Sequence, residues 1–152
     1  MLYVAYGSNM NIPQMKFRCK NSKLIGVGKL KGWKLVFNIH ADIIKTNNDN
    51  DVVPIVLWDI ANEDWKMLDM YEGFPNYYVK KIVEIEHNEK IKNAIVYVMN
   101  DKRKGIYPPF KEYFNTIKDG YIQNNIDTMY LYESLNYTFE NQTEHNQYSN
   151  IN

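Results

Sequence analysis

The first residues that could do chemistry lie near the start of the chain, where a short apolar run ends in Gly7-Ser8-Asn9. The run at 2–6 has a β-branched centre and predicts a buried strand, while Asn11 followed by Pro13 predicts the start of a helix. A chain that leaves a strand through Gly, Ser and Asn can present several backbone N–H groups in one place. Such a turn can hold a carboxylate, a phosphate or a developing oxyanion. The same residues also suit an ordinary structural turn, and such turns are common.

A second candidate is Glu72, which lies at the predicted C-terminal end of a helix. This helix is predicted to begin at an N-cap, Asn62, and to end at Gly73. Its apolar face is predicted to contain Trp65, Leu68 and Tyr71. A helix C-terminus carries negative potential, so a carboxylate there is either exposed and tolerated or required by function. Negative potential and partial burial both raise a carboxyl pKa towards neutrality, which suits a general base.

The other reactive residue types show no pattern that indicates a site. The histidines lack metal-ligand spacing; they are His40, His87 and His145. Cys19 has no activating neighbour in the sequence and is interpreted as an inert thiol. Ser8 lacks the Gly-x-Ser-x-Gly pattern of serine hydrolases, and there is no phosphate-binding P-loop or dinucleotide fingerprint.

Length and composition restrict the class of protein. A chain of 152 residues, 45% of them hydrophobic, suits one globular domain with a substantial core. The formal net charge is zero and no predicted element has a strong basic stripe, which argues against nucleic-acid or anionic membrane partners. The apolar run at 52–58 is too short to span a bilayer, and no signal peptide is recognisable. A single cysteine excludes an internal disulfide. We expect a cytoplasmic protein.

Apolar periodicity predicts about six strands, at 2–6, 24–30, 33–39, 52–60, 77–85 and 91–99. Helices are expected after the first strand, in the middle of the chain, at 110–123, and from a cap at Asp127 to about Leu135. Pro54 is expected at a strand start, an edge or a bulge. This grouping predicts an α+β fold with a mostly antiparallel sheet, closed or half-closed into a barrel. The polar sequence at 140–152 is expected to be a disordered tail after one domain at 1–139.

The two candidate stretches together resemble the γ-glutamylcyclotransferase family, including its AIG2-like relatives. The stretch Tyr3-Val4-Ala5-Tyr6-Gly7-Ser8-Asn9-Met10 is similar to the family signature. The stretch Leu68-Asp69-Met70-Tyr71-Glu72-Gly73, with Tyr78 soon after, is similar to its acidic motif. A weaker match runs from Val96-Tyr97-Val98-Met99 through Pro108-Pro109 to a segment from Tyr113 to Gly120-Tyr121. The order and spacing of these motifs carry the resemblance over about 1–135.

The resemblance implies a small mixed β-barrel with peripheral helices and an enzyme that needs no metal or cofactor. It implies that a γ-glutamyl substrate cyclises to 5-oxoproline and releases the attached amino acid or amine. It assigns the catalytic acid/base to Glu72. It assigns the substrate-binding residues to Tyr3, Val4, Ala5, Tyr6, Gly7, Ser8 and Asn9. A hydroxyl near the substrate is assigned to Tyr78, with the adjacent Tyr77 as the alternative.

Three functions stay open at this point. The substrate could be a γ-glutamyl amino acid, or instead a γ-glutamylamine or γ-glutamyl-protected intermediate. The chain could also be a non-catalytic binding module, although Glu72 beside an intact Gly7-Ser8-Asn9 argues against that. The loop at 46–51 and the strand with Pro54 do not match the family's middle section with clarity, and substrate selectivity resides in such loops. No residue indicates the oligomeric state.

Overall fold

The computed structural model describes residues 1–143 and has a closed five-stranded barrel at its centre. Within these residues there are seven strands: β1 (Leu2–Ala5), β2 (Lys23–Lys31), β3 (Trp33–Asn38), β4 (His40–Lys45), β5 (Val52–Asp59), β6 (Tyr78–His87) and β7 (Lys90–Met99). The barrel order is β1-β5-β2-β6-β7, and the parallel pairing of β1 with β7 closes it. The remaining barrel pairs are antiparallel. The predicted α+β barrel, mostly antiparallel, is confirmed.

Strands β3 and β4 form a separate two-stranded sheet, and β4 was absent from the sequence prediction. Ile39 makes the turn between them with a φ of 65°, a conformation that a β-branched residue rarely adopts. The polar Asp42 interrupts the apolar pattern of β4. In the fold it is buried, and its carboxylate accepts a hydrogen bond from Met99 N at 3.0 Å. The predicted six strands are therefore corrected to seven within residues 1–143.

The helices are α1 (Ile12–Arg18), α2 (Trp65–Glu72), α3 (Lys111–Gln123) and α4 (Met129–Glu140). Asn11 caps α1 as predicted, since its side chain accepts from Gln14 N at 3.2 Å. The predicted cap at Asn62 is wrong, because Asn62 begins a short 3₁₀ helix that precedes α2. The predicted cap at Asp127 is one residue too early, since Thr128 is the N-cap of α4, although the Asp127 carboxylate accepts a hydrogen bond from Met129 N at 2.9 Å. No helix in residues 1–143 is long and apolar enough to cross a membrane.

Helix α4 continues past the predicted end at Leu135, because its buried face extends to Thr138. The predicted tail at 140–152 therefore begins inside described structure. Glu140 is the last residue of α4, and Thr143 N donates to Ile106 O at 3.0 Å. The rest of the predicted tail, with His145, lies outside the described residues.

Helix α3 packs directly onto the 3₁₀ helix Ser8–Met10 that follows β1. Gly120 permits this contact, since a Cβ there would lie 2.8 Å from the backbone of Met10 and Asn11. The Asn124 side chain donates to Met10 O at 3.0 Å, and Asn11 donates to Thr116 O at 3.1 Å. The turn that carries the candidate chemistry is therefore held by a helix more than a hundred residues away in sequence.

Candidate active site

One cavity of about 280 Å³ opens where β1 ends, where α2 ends and where β4 and β6 begin. Of the residues assigned from the sequence, the ones that line it are Tyr3, Tyr6, Gly7, Ser8, Asn9, Glu72, Tyr77 and Tyr78. Val4 and Ala5 do not line it, because they are buried in β1. The cavity also includes residues that the sequence analysis did not assign, among them His40, Tyr71, Tyr97 and Tyr113.

The turn after β1 forms one wall of this cavity. Gly7 precedes a 3₁₀ helix, whose first N–H groups have no acceptor within the helix. A Cβ on Gly7 would lie 3.1 Å from the Ala41 Cβ and 3.3 Å from the Tyr113 hydroxyl oxygen. Glycine therefore lets the backbone approach these groups closely. The Ser8 hydroxyl is 2.8 Å from the Tyr71 hydroxyl of α2, which ties the turn to the opposite wall.

Glu72 forms the opposite wall as the last residue of α2. Gly73 ends the helix in the left-handed conformation, with a φ of 63°, and directs the chain away immediately after Glu72. The Glu72 carboxylate accepts a hydrogen bond from the Asn9 side chain at 3.1 Å. Burial raises the pKa of Glu72 to about 7, against the opposing effects of the Arg18 charge and a hydrogen bond with Tyr3. The acid and the turn therefore meet, although they are far apart in sequence.

Most tyrosine hydroxyls in the cavity already donate to the protein. The Tyr6 hydroxyl donates to Tyr97 O at 2.6 Å, and the Tyr97 hydroxyl donates to the Asp69 carboxylate. The Tyr78 hydroxyl donates to Ala41 O at 2.6 Å. Burial also raises the pKa of Tyr78, so this hydroxyl stays neutral. Tyr78 therefore lines the cavity as assigned from the resemblance, but its hydrogen is engaged.

Tyr113 differs from these tyrosines because its hydroxyl oxygen accepts a hydrogen bond, from Ala41 N at 3.0 Å. A backbone N–H can only donate, so the hydroxyl hydrogen must point elsewhere. Within residues 1–143, no hydrogen bond has the Tyr113 hydroxyl as its donor. This hydroxyl lies next to Gly7. Tyr113 belongs to the weaker of the three motif matches, but it was not assigned to the site. Tyr77, the alternative assignment, is paired with His40, whose Nδ1 is 2.7 Å from the Tyr77 hydroxyl.

The cavity has an acidic and otherwise nearly uncharged lining. Among the described residues that line it, Glu72 is the carboxylate, and neither Lys nor Arg is present. Burial lowers the pKa of His40, which favours the neutral imidazole at pH 7. No group of three or more His, Cys, Asp or Glu side chains within 1–143 is arranged to hold a metal ion. The chemistry available here is proton transfer by a carboxyl group and hydrogen bonding by N–H and hydroxyl donors.

The barrel is shared with several solved structures. An uncharacterised protein from Homo sapiens aligns with a TM-score of 0.72 and 24% identity, over 88% of this chain and 85% of that one. A structure described as a gamma-glutamyl cyclotransferase aligns with a TM-score of 0.73 and 22% identity, over 96% and 90%. YkqA from Bacillus subtilis aligns with a TM-score of 0.75 and 18% identity, over 94% of this chain and 55% of that one. These similarities establish a γ-glutamylcyclotransferase-like fold.

The sequence itself identifies the family. The family model described as "Gamma-glutamyl cyclotransferase, AIG2-like" matches residues 3–115. The chain therefore belongs to this family, as the resemblance predicted. No curated protein sequence matches it significantly. The matched region includes the turn after β1, Glu72 and Tyr113, so every wall of the cavity comes from it.

Proposed function

We propose that the protein cyclises a γ-glutamyl group to 5-oxoproline and releases the attached amine, with Glu72 as general acid and base. The observation that carries this proposal is the position of Glu72. A carboxyl group whose pKa is raised to about 7 lies in a cavity, hydrogen-bonded to Asn9 of the turn after β1. Membership of the γ-glutamyl cyclotransferase family supports the choice of reaction.

The reaction requires that the attacking nitrogen lose a proton and that the departing nitrogen gain one. The substrate's neutral α-amine forms a bond to its own γ-carbonyl carbon, and the ionised Glu72 takes a proton from that nitrogen. Glu72 then gives the proton to the departing nitrogen as the original amide bond breaks, and returns to its starting state. An α-amine has a pKa of about 7.7–8.0, so a carboxyl group with a pKa near 7 is well matched to both transfers.

The developing oxyanion needs hydrogen-bond donors in the cavity other than Glu72. The N–H groups at the start of the 3₁₀ helix Ser8–Met10 and the Tyr113 hydroxyl are suited to this role. One such donor is worth about 2.7–4 kcal/mol in other acyl-transfer enzymes. Because nucleophile and electrophile belong to one molecule, much of the remaining barrier is conformational, and holding the substrate folded for ring closure lowers it.

The charge of the cavity favours a γ-glutamylamine over a γ-glutamyl amino acid as substrate. In a γ-glutamyl amino acid, a second carboxylate lies two bonds from the departing nitrogen and would enter the cavity near Glu72. Every γ-glutamyl group already brings one α-carboxylate. A second buried carboxylate needs a cation or several donors of its own, and no Lys or Arg lines the cavity among the described residues. Arg103 stacks on Tyr77, 4.8 Å from the ring centroid, but does not line the cavity.

The test of the reaction is Glu72→Gln, with Glu63→Gln as the matched control. Glu63 is an exposed carboxylate in the 3₁₀ helix just before α2. A panel of γ-glutamyl compounds is incubated with each protein, and 5-oxoproline is measured by mass spectrometry. We expect Glu72→Gln to lose at least about a hundredfold in kcat, since general base catalysis contributes about 10²–10⁴. Wild-type turnover by Glu72→Gln would refute the assignment.

The same panel separates the substrate classes. We expect a higher kcat/KM for γ-glutamylethylamide than for γ-glutamylalanine, because only the second brings an extra carboxylate. The opposite order would refute the amine preference while leaving the cyclotransferase intact. If the wild-type protein bound γ-glutamyl compounds without releasing 5-oxoproline, the proposal would fail in favour of a non-catalytic binding module.

A further inference from the structure

A cation outside the cavity is connected to Glu72 through one side chain. Nη1 of Arg18, the last residue of α1, donates to Oδ1 of Asn9 at 2.6 Å. Nδ2 of the same Asn9 donates to the Tyr3 hydroxyl at 2.9 Å and to Oε1 of Glu72 at 3.1 Å. Asn9 is 2% exposed, so bulk water cannot replace these partners. Arg18 does not line the cavity itself.

The two ends of an amide side chain have nearly the same shape, so its orientation is decided by its partners. A guanidinium group only donates hydrogen bonds, and Arg18 therefore requires the Asn9 oxygen to face it. The nitrogen must then face Glu72. Without Arg18, the amide can rotate and place its oxygen where the protonated Glu72 carboxyl donates to it, which stabilises the form that cannot act as a base. Arg18 thus determines which end of Asn9 the catalytic carboxylate meets.

We infer that Arg18 is a positioning residue of this site, which holds the Asn9 side chain so that Asn9 fixes the Glu72 carboxylate against the turn after β1. The inference rests on the proposed role of Glu72. It requires that Arg18 itself be fixed, and two contacts do this. Its Nη2 donates to Oε1 of Gln14 at 2.7 Å, and its guanidinium carbon is 3.5 Å from the centroid of the Tyr71 ring.

Within residues 1–143, Arg18 is the cation whose charge lowers the pKa of Glu72. Asp69 on the same helix is paired with Lys80 at 2.7 Å. His40 lines the cavity, and burial lowers its pKa, which favours the neutral imidazole at pH 7. The other titratable groups facing Glu72 are tyrosines from β1 and the residue after it, and from α2, β6, β7 and α3: Tyr3, Tyr6, Tyr71, Tyr78, Tyr97 and Tyr113. Removing the Arg18 charge therefore raises the pKa of Glu72 further.

The experiment compares Arg18→Met with Lys16→Met, which removes an exposed charge from the same helix. The titration midpoint of the Glu72 carboxyl is followed by carbon-13 NMR without substrate, and the pH profile of kcat/KM with substrate. We expect Arg18→Met to raise the midpoint and the acid limb by roughly one pH unit. We expect kcat at neutral pH to fall about tenfold with a smaller change in KM. Arg18→Lys is expected to restore the midpoint because it keeps the charge.

Transmission through Asn9 is tested by a double-mutant cycle. If Arg18 acts through Asn9, then Arg18→Met costs little further kcat when Asn9→Ala is already present, measured on the alkaline plateau where Glu72 is ionised in every variant and the charge effect is absent. Additive losses, or an Arg18→Met protein that matches Lys16→Met in both midpoint and kcat, would overturn the inference. If Arg18→Met does not fold by circular dichroism, an unchanged Glu72 midpoint in Asn9→Ala overturns it instead. A wild-type protein inactive on every γ-glutamyl compound would refute the proposed function. The NMR titration would still test whether Arg18 acts on Glu72 through Asn9.

Discussion

Glu72→Gln is expected to make the protein more stable at alkaline pH while it abolishes activity. Folding removes the Glu72 carboxyl from water, and this loss of hydration raises its pKa from 4.5 to about 7 although Arg18 and Tyr3 act in the opposite direction. The folded state therefore binds this proton more tightly than the unfolded state does. Ionising Glu72 in the folded protein costs free energy, and glutamine, which does not ionise, avoids that cost.

The sign and size of the effect follow from proton linkage. Below pH 4.5 the carboxyl is protonated in both states, and the variant and the wild-type protein have a constant difference in stability. Between pH 4.5 and 7 the wild-type protein loses stability relative to the variant, and above pH 7 the loss is complete. The full pKa difference corresponds to about 3 kcal/mol as an upper limit. For a domain of this length that is about 6–12 °C in Tm.

The assay is thermal unfolding followed by circular dichroism at pH 4 and pH 8.5, for wild type, Glu72→Gln and Glu63→Gln. The Tm of Glu72→Gln minus that of wild type should increase by several degrees between the two pH values. Glu63 is exposed, so its variant should show almost no such increase. If the difference for Glu72→Gln were the same at both pH values, Glu72 would not have a raised pKa and the argument for a general base at this position would be wrong.

Three other perturbations test the site and its support. The kcat/KM for 5-oxoproline release should fall as the pH drops below about 7, because protonated Glu72 cannot accept a proton; a flat profile between pH 5 and 8 would contradict this. Tyr113→Phe should lower kcat about tenfold or more by removing a donor beside Gly7, whereas Tyr132→Phe, outside the cavity, should not. Gly120→Ala should destabilise the fold by about 1–3 kcal/mol in thermal melts, because its Cβ would lie 2.8 Å from backbone atoms. Asn115→Ala, at an exposed position of α3, should not.

The barrel strands and the helices were predictable wherever one local pattern dominated. β1, β5 and the hairpin of β6 and β7 have apolar runs or alternation that only a strand fits well. β4 was missed because Asp42 breaks its pattern and Ile39 is not a usual turn residue. Asp42 and Ile39 are each stabilised by a hydrogen bond to a residue distant in the sequence. Met99 N donates to the Asp42 carboxylate, and Ile39 N donates to Tyr107 O. A local pattern carries no information about such partners.

By itself, the sequence determined the family, the turn at Gly7-Ser8-Asn9 and the placement of Glu72 immediately before Gly73. These are local features, since a strand exit and a helix end are specified by neighbouring residues. Only the tertiary structure decided that Asn9 meets Glu72, that Arg18 holds Asn9, and that Tyr113 lies beside Gly7. Side chains contributed by separate elements meet only when the barrel closes and α3 packs on the turn. A carboxylate at an unfavourable helix end thereby becomes a partly buried acid with a pKa near neutrality.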